Sequence, residues 1–273
     1  LRTAIHLRPR RLYAQPGVAE ALAPLVPEER FRAFRLVSGV DPREIEDAWI
    51  ADYELGTLSL FDAGDAELDV ERRFLERASS EAAQKTPDPS LVHWSGVTAG
   101  APSALLRLEG RFVAIAVGDP TLVKIVRAYV EKKLKRSPPA LASLFLAPLE
   151  PLVDAAPLSA YAVGPFRGDS AVVYGALGVA LGARFDGDAL RLSLHALGVF
   201  GEERSSATSD VSEFVRGRLD TPELRALGAG SIVGTPEVIC EPAPATDPRR
   251  VELERCDVSA TLSLAEVLAR LHG

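Results

Sequence analysis

The chain has 273 residues, 31 of them basic and 38 acidic, for a formal net charge of −7, and this length supports one large domain or two of roughly 100 to 150 residues. An acidic balance without a basic stripe excludes a nucleic-acid partner, because phosphate neutralisation supplies most of such an affinity. The stretch most tempting as a membrane span, Ser170 to Ala183, has 14 residues and is interrupted by Gly175, Gly178 and Gly182, where a spanning helix needs about 20.

Thr3 to Leu7 opens the chain as an apolar strand, and Val18, Leu22 and Leu25 at helical spacing predict a helical run from about Pro9 to Leu25. Asp41-Pro42-Arg43-Glu44 reads as a capped turn, with an oxygen acceptor before a proline at the first helical position. Two strands follow, Ala48 to Glu54 and Thr57 to Asp62, with Gly56 in the turn. A helix is expected from Asp65 to about Ser79, then strands at Leu91 to Thr98, Ala104 to Leu108 and Phe112 to Val117, the last two joined by Glu109-Gly110.

Asp119-Pro120 starts a helix with Leu122, Val126, Tyr129 and Val130 inward and a basic end at Lys132, Lys133, Lys135 and Arg136, which suits the negative end of a helix. Ser137-Pro138-Pro139 marks a boundary. Beyond it come an apolar segment from Leu141 to Val153, a short strand near Ala160 to Val163, and the strongest hairpin signal in the chain. Val179, Leu181, Ala183 and Phe185 alternate, Asp186-Gly187 turns, and Leu190, Leu192 and Leu194 alternate back. The opposite face carries Arg184, Arg191, Ser193 and His195, so one face should be buried and the other wet. A helix from Ser209 to Leu219 gathers Val211, Phe214 and Val215; a short one spans Pro222 to Leu227; strands lie near Ile232 to Cys240 and Val251 to Leu262; and Ser263 with Glu266 caps a last helix.

The expected fold is therefore α+β: two similar halves, residues 1–137 and 138–273, each an antiparallel sheet with packed helices, and a possible duplication. The halves differ in charge, since residues 1–136 carry 20 basic and 20 acidic side chains and the whole net charge lies beyond them. Within the first half, residues 107–136 hold eight basic and three acidic groups against four and ten in residues 51–100. Packing of these segments on each other is expected to pair the excesses.

Chemistry-bearing motifs are sparse. His6, His93, His195 and His272 show no i, i+4 pair, and neither cysteine lies near a histidine, so neither a metal site nor any cofactor is expected. His93-Trp94-Ser95-Gly96 places a histidine near a serine without a nucleophile elbow, so no catalytic residue is assigned. Asp186-Gly187-Asp188 reads as turn chemistry, and Asp62 to Asp69 as acidic residues leading into a helix. Arg184, Arg191 and His195 form a row that can receive an anion or an acidic partner, or serve simply as a solvated sheet face. Cys240 and Cys256 fall opposite each other if their strands form a hairpin centred near Pro248, which allows a disulfide in an oxidising compartment or two buried thiols in a reducing one.

Gly39-x-Asp41-Pro42 ahead of a strand pair, the run Ala162-Val163-Gly164-Pro165-Phe166, and the hairpin through Phe200 together resemble uncharacterised exported envelope lipoproteins of GC-rich Gram-negative bacteria. The resemblance spans most of the chain and implies export and anchoring by an acylated cysteine upstream of the folded region. A start at Leu1, the absence of Met, and 26 arginines against five lysines fit a processed chain from such a source. The expected function is a non-catalytic exported envelope protein, periplasmic or outer-envelope, that binds another protein or an apolar ligand, with membrane attachment through a lipid anchor. The alternatives are a hydrolase with a loop-assembled site, a structural subunit using Leu141 to Val153 as an interface, and a cytoplasmic location.

Overall fold

The computed structural model describes residues 1–273 apart from 24–25, 66–67, 80–82, 85–90, 132–140, 142, 168–169, 188, 202–205, 220–234, 244–252 and 264–273. The chain divides into two compact units, Leu1–Ser137 and Pro138–Gly273. The basic helix end at Lys132 to Arg136, the helix expected at Pro222 to Leu227, the last helix and His272 all lie outside the described residues.

In the N-terminal unit, β1 (Thr3–Leu7) leads through α1 (Pro9–Tyr13), α2 (Val18–Leu22) and α3 (Glu28–Ser38) to the hairpin β2 (Asp47–Asp52) and β3 (Thr57–Asp62). α4 (Val70–Arg77) and the two-residue β4 (Ala83–Gln84) precede a meander of β5 (Leu91–Thr98), β6 (Ala101–Leu108) and β7 (Phe112–Val117), and α5 (Thr121–Val130) follows. All strand pairs are antiparallel, in the order β1-β2-β3-β7-β6-β5-β4. Three expectations are corrected here. The single helix from Pro9 is two short ones, because Pro16 removes a backbone donor within the run. The helix expected from Asp65 begins only at Val70, with Asp69 at its N-cap position. α3 was not anticipated, because only Phe31 of its side chains is buried and its apolar residues form no inward stripe.

Both faces of the central strands are covered. Leu105 and Val113 point to a cluster with Val40, Ile45, Val70 and Phe74, while Leu106, Ala104, Ala114 and Ala116 point to one with Leu122 and Val123 of α5. The two-residue side-chain period of a strand thus sends alternate residues to different helices. Asp119 starts α5 by accepting from the Thr121 amide at 2.9 Å and its hydroxyl at 2.6 Å. The excess charges of the two segments do meet: Arg107 pairs with Glu71, and Arg111 with Asp62.

In the C-terminal unit, α6 (Glu150–Val153) precedes β8 (Leu158–Val163), α7 (Ala171–Gly175), the long hairpin β9 (Ala176–Asp186) and β10 (Ala189–Gly198), α8 (Ala207–Leu219), and the pair β11 (Glu237–Pro242) and β12 (Glu254–Ser263). The antiparallel order is β8-β9-β10-β12-β11. This matches the order β1-β2-β3-β7-β6 within the first unit, which adds β5 and β4 beyond β6. In both, a helical link separates the first two strands, a hairpin joins the second to the third, a helix follows, and the last described strand lies between the third and the strand that precedes it in the chain.

The expectation of a wet face on the β9–β10 hairpin holds only at its tip, where Arg184 and Arg191 are exposed. Toward β8 the same face is buried at Ala180, Ser159 and Tyr161. The reason is the apolar segment before β8: a Cβ on Gly178 would lie 2.4 Å from the carbonyl oxygen of Phe145, and one on Gly182 3.1 Å from Val153. Only glycine lets this segment approach so closely. The buried side chains of the Leu141 to Val153 stretch, Leu146, Leu149 and Val153 among them, therefore sit within the unit.

Candidate functional site

The apolar face of the C-terminal sheet bears a cavity of about 570 Å³ beneath α8. Val179, Leu181, Leu194, Ala196, Cys256 and Val258 form its floor, and Val211, Phe214 and Val215 of α8 form its roof. The helix seats its first turns firmly, with Ala207 and Val211 buried, whereas Phe214 and Val215 further along are only half-buried. The gap therefore opens where the helix stands off from the sheet. Arg218 lies over the Phe214 ring, 5.2 Å from its centroid, and the Thr208 hydroxyl accepts from the Cys240 amide at 3.3 Å, tying α8 to the sheet on one side. Among the described residues, Arg167 is the charged residue in the lining.

Cys240 and Cys256 are direct partners in the β11–β12 register and form a disulfide, with Cα atoms 4.1 Å apart. Cys256 is fully buried in the wall of the cavity. The bond thus clamps the terminal strand of this sheet to the strand that floors the cavity.

On the other face of the same strands, Arg184, Arg191 and His195 come together around a cleft of about 350 Å³, with Ser193, Ser259 and Thr261 beside them. His195 Nδ1 donates to Asp257 Oδ1 at 2.8 Å, and Arg255 Nε donates to both oxygens of Asp257 at 3.1 Å. A carboxylate only accepts, so this arrangement orients the imidazole and leaves Nε2 as the ring nitrogen not engaged by Asp257. Arg191 is paired with Asp186.

The N-terminal unit has its own cleft of about 640 Å³, where Trp49, Leu60, Leu108 and Val126 are rimmed by Asp47, Asp62, Glu109 and Glu131. Asp62 is held below the ordinary carboxyl range, first by the hydrogen bond from Arg111, against the opposing effect of burial. His6 stacks on Trp49, centroids 4.0 Å apart, and bonds through Nε2 to Asp47. His93 is buried within β5, and its neighbour Trp94 packs in the Phe74 cluster. Asp69 engages Arg72 and Arg73 beside α4. Among the described residues no helix is long and apolar enough to cross a membrane, and no group of three or more His, Cys, Asp or Glu is placed to hold a metal.

Sequence periodicity anticipates the floor of the apolar cavity, since Val179, Leu181, Leu192 and Leu194 alternate. The space itself is invisible to it, because the same inward residues of α8 would appear whether the helix touched the sheet or stood away.

No protein-family profile matches the chain, and no curated protein matches it. Among solved structures it is similar to crystal form IV of TP0453, a treponemal protein, with a TM-score of 0.50 at 8% identity over 100% of this chain and 93% of that one. Crystal form III of the same protein aligns with a TM-score of 0.47 at 7% identity, over 99% and 93% of the two chains. The first of these likenesses concerns the fold, an α+β arrangement of antiparallel strands and packed helices.

Proposed function

We propose that this protein is a non-catalytic, exported protein of the cell envelope that binds an apolar small molecule in the cavity beneath α8. The observation carrying this reading is the cavity itself, about 570 Å³, within the 300 to 1,000 Å³ range of small-molecule sites. Its lining is apolar on floor and roof. The disulfide supports the compartment, since such bonds persist in oxidising environments. A ligand with about a dozen methylene groups gains roughly 10 kcal/mol from their burial and loses about 4 kcal/mol or more on association. The dissociation constant expected is at best in the tens of micromolar.

Titration with a neutral naphthylamine fluorescent probe tests this. Saturable enhancement is expected for the wild-type protein and for Val126→Trp, which fills the cleft of the other unit, and a loss of at least tenfold in affinity for Val215→Trp. Equal binding by Val215→Trp and the wild type would overturn the reading.

A further inference from the structure

We propose a second binding site, on the opposite face of the same strands and independent of the apolar cavity, that takes a phosphate group. Its centre is the pair Arg184 and Arg191, which are direct register partners on β9 and β10. Like charges directly opposite each other destabilise a strand pair. Asp186 answers Arg191, but among the described residues Arg184 has no ion-pair or hydrogen-bond partner, so one of the two facing charges is left for a ligand to neutralise.

The surroundings select which anion. Ser193 and Ser259 are direct partners across β10 and β12, and Thr261 is the partner of Arg191, so the register sets three hydroxyls in one patch with the two guanidiniums. All of them line the 350 Å³ cleft, together with His195, and among the described residues no Asp or Glu lines it. A carboxylate ligand would satisfy one guanidinium through a bidentate pair and leave the remaining donors idle. A tetrahedral oxyanion offers acceptor oxygens in several directions and matches two planar forks plus hydroxyls.

α6 and the residues after it supply an apolar wall on one side of the cleft. The donors stand on paired strands, and His195 is held by Asp257 and, through it, by Arg255, so little ordering is needed on binding. The phosphate can be free, on a soluble monoester, or the exposed headgroup of a lipid.

The test is calorimetric titration at low salt with inorganic phosphate, and flotation with phosphatidylcholine vesicles containing either phosphatidic acid or phosphatidylglycerol at matched surface charge. Saturable phosphate binding is expected in the wild type, weakened at least tenfold in Arg184→Gln and in Arg191→Gln and about threefold in Ser259→Ala, and unchanged in Val215→Trp. Thermal melts of the variants confirm folding. Binding to phosphatidic acid vesicles but not to free phosphate, still lost in the arginine variants, assigns the lipid headgroup as the source. Absence of both, equal flotation with the two anionic lipids, or undiminished binding by Arg184→Gln with Arg191→Gln overturns the site.

Discussion

Cys240 and Cys256 face each other across β11 and β12, joined by a disulfide with Cα atoms 4.1 Å apart, and Cys256 is fully buried beside the apolar cavity. The bond closes a sequence separation of 16 residues, and closing a loop of that size restricts the unfolded chain by about 3 kcal/mol. Replacing both cysteines by serine should lower the free energy of unfolding by about that amount. Urea denaturation of the double variant beside the wild type measures it, and an unchanged midpoint would show that the clamp adds no stability.

Gly39 ends α3 at φ +82°, and a Cβ there would lie 2.4 Å from the carbonyl carbon of Asp69. Gly39→Ala should therefore cost at least about 2 kcal/mol, combining the left-handed penalty with a backbone collision that no side-chain rotation relieves. Denaturant midpoints report it; a loss below about 1 kcal/mol would mean that α3 and the residues before α4 can part freely.

Acid should weaken the N-terminal unit through its depressed carboxylates, of which Asp41 and Asp62 are more buried than Asp69 and Asp119. Asp41 is held below its ordinary value first by the side-chain hydrogen bond from Arg43, with burial opposing, and Asp62 likewise by Arg111. A depressed folded-state pKa contributes stability that is present above the unfolded value of about 3.9 and is lost as pH falls through the folded one. Denaturant midpoints should therefore hold steady from pH 7 to about 5 and decline below about 4. Asp41→Asn and Asp62→Asn should each flatten the decline. Asp41 also accepts from the Arg43 amide at 3.0 Å, so Asp41→Ala should cost about 1 to 2 kcal/mol near neutral pH.

The repeated strand order makes a contrast between the helices that follow each hairpin. Phe74 of α4 is 1% exposed in a filled core, whereas Phe214 of α8 is half-buried at the rim of a cavity. Phe74→Ala should cost about 3 to 5 kcal/mol, and Phe214→Ala about 1 kcal/mol. Calorimetric melting of the two variants measures the difference. Comparable losses would mean that α8 is packed as tightly as α4.

Much of this architecture was legible in residue order. The alternation on either side of Asp186-Gly187 predicted the β9–β10 hairpin and the face each residue takes, because side chains in a strand alternate, but Asp186 belongs to β9 and pairs with Ala189, so the turn lies one residue later than expected. The same logic set Cys240 against Cys256, the outcome of counting residues about a single turn. α3 escaped because its exposed Phe34, Leu36 and Val37 do not form the inward stripe by which a helix is recognised.

Sequence alone determined which residues share a face: Arg184, Arg191 and His195 on one side of the hairpin, Val179, Leu181 and Leu194 on the other, since side-chain direction in a strand follows from position. Tertiary structure decided what each face meets. Glycines at 178 and 182 admit the segment around Phe145 and Val153 to the polar side, turning an open row into a cleft. On the apolar side, α8 stands over a cavity, whereas α4 of the other unit buries Val70 and Phe74 in a core cluster. Direction is a local property of the backbone, but distance between layers depends on every side chain packed between them.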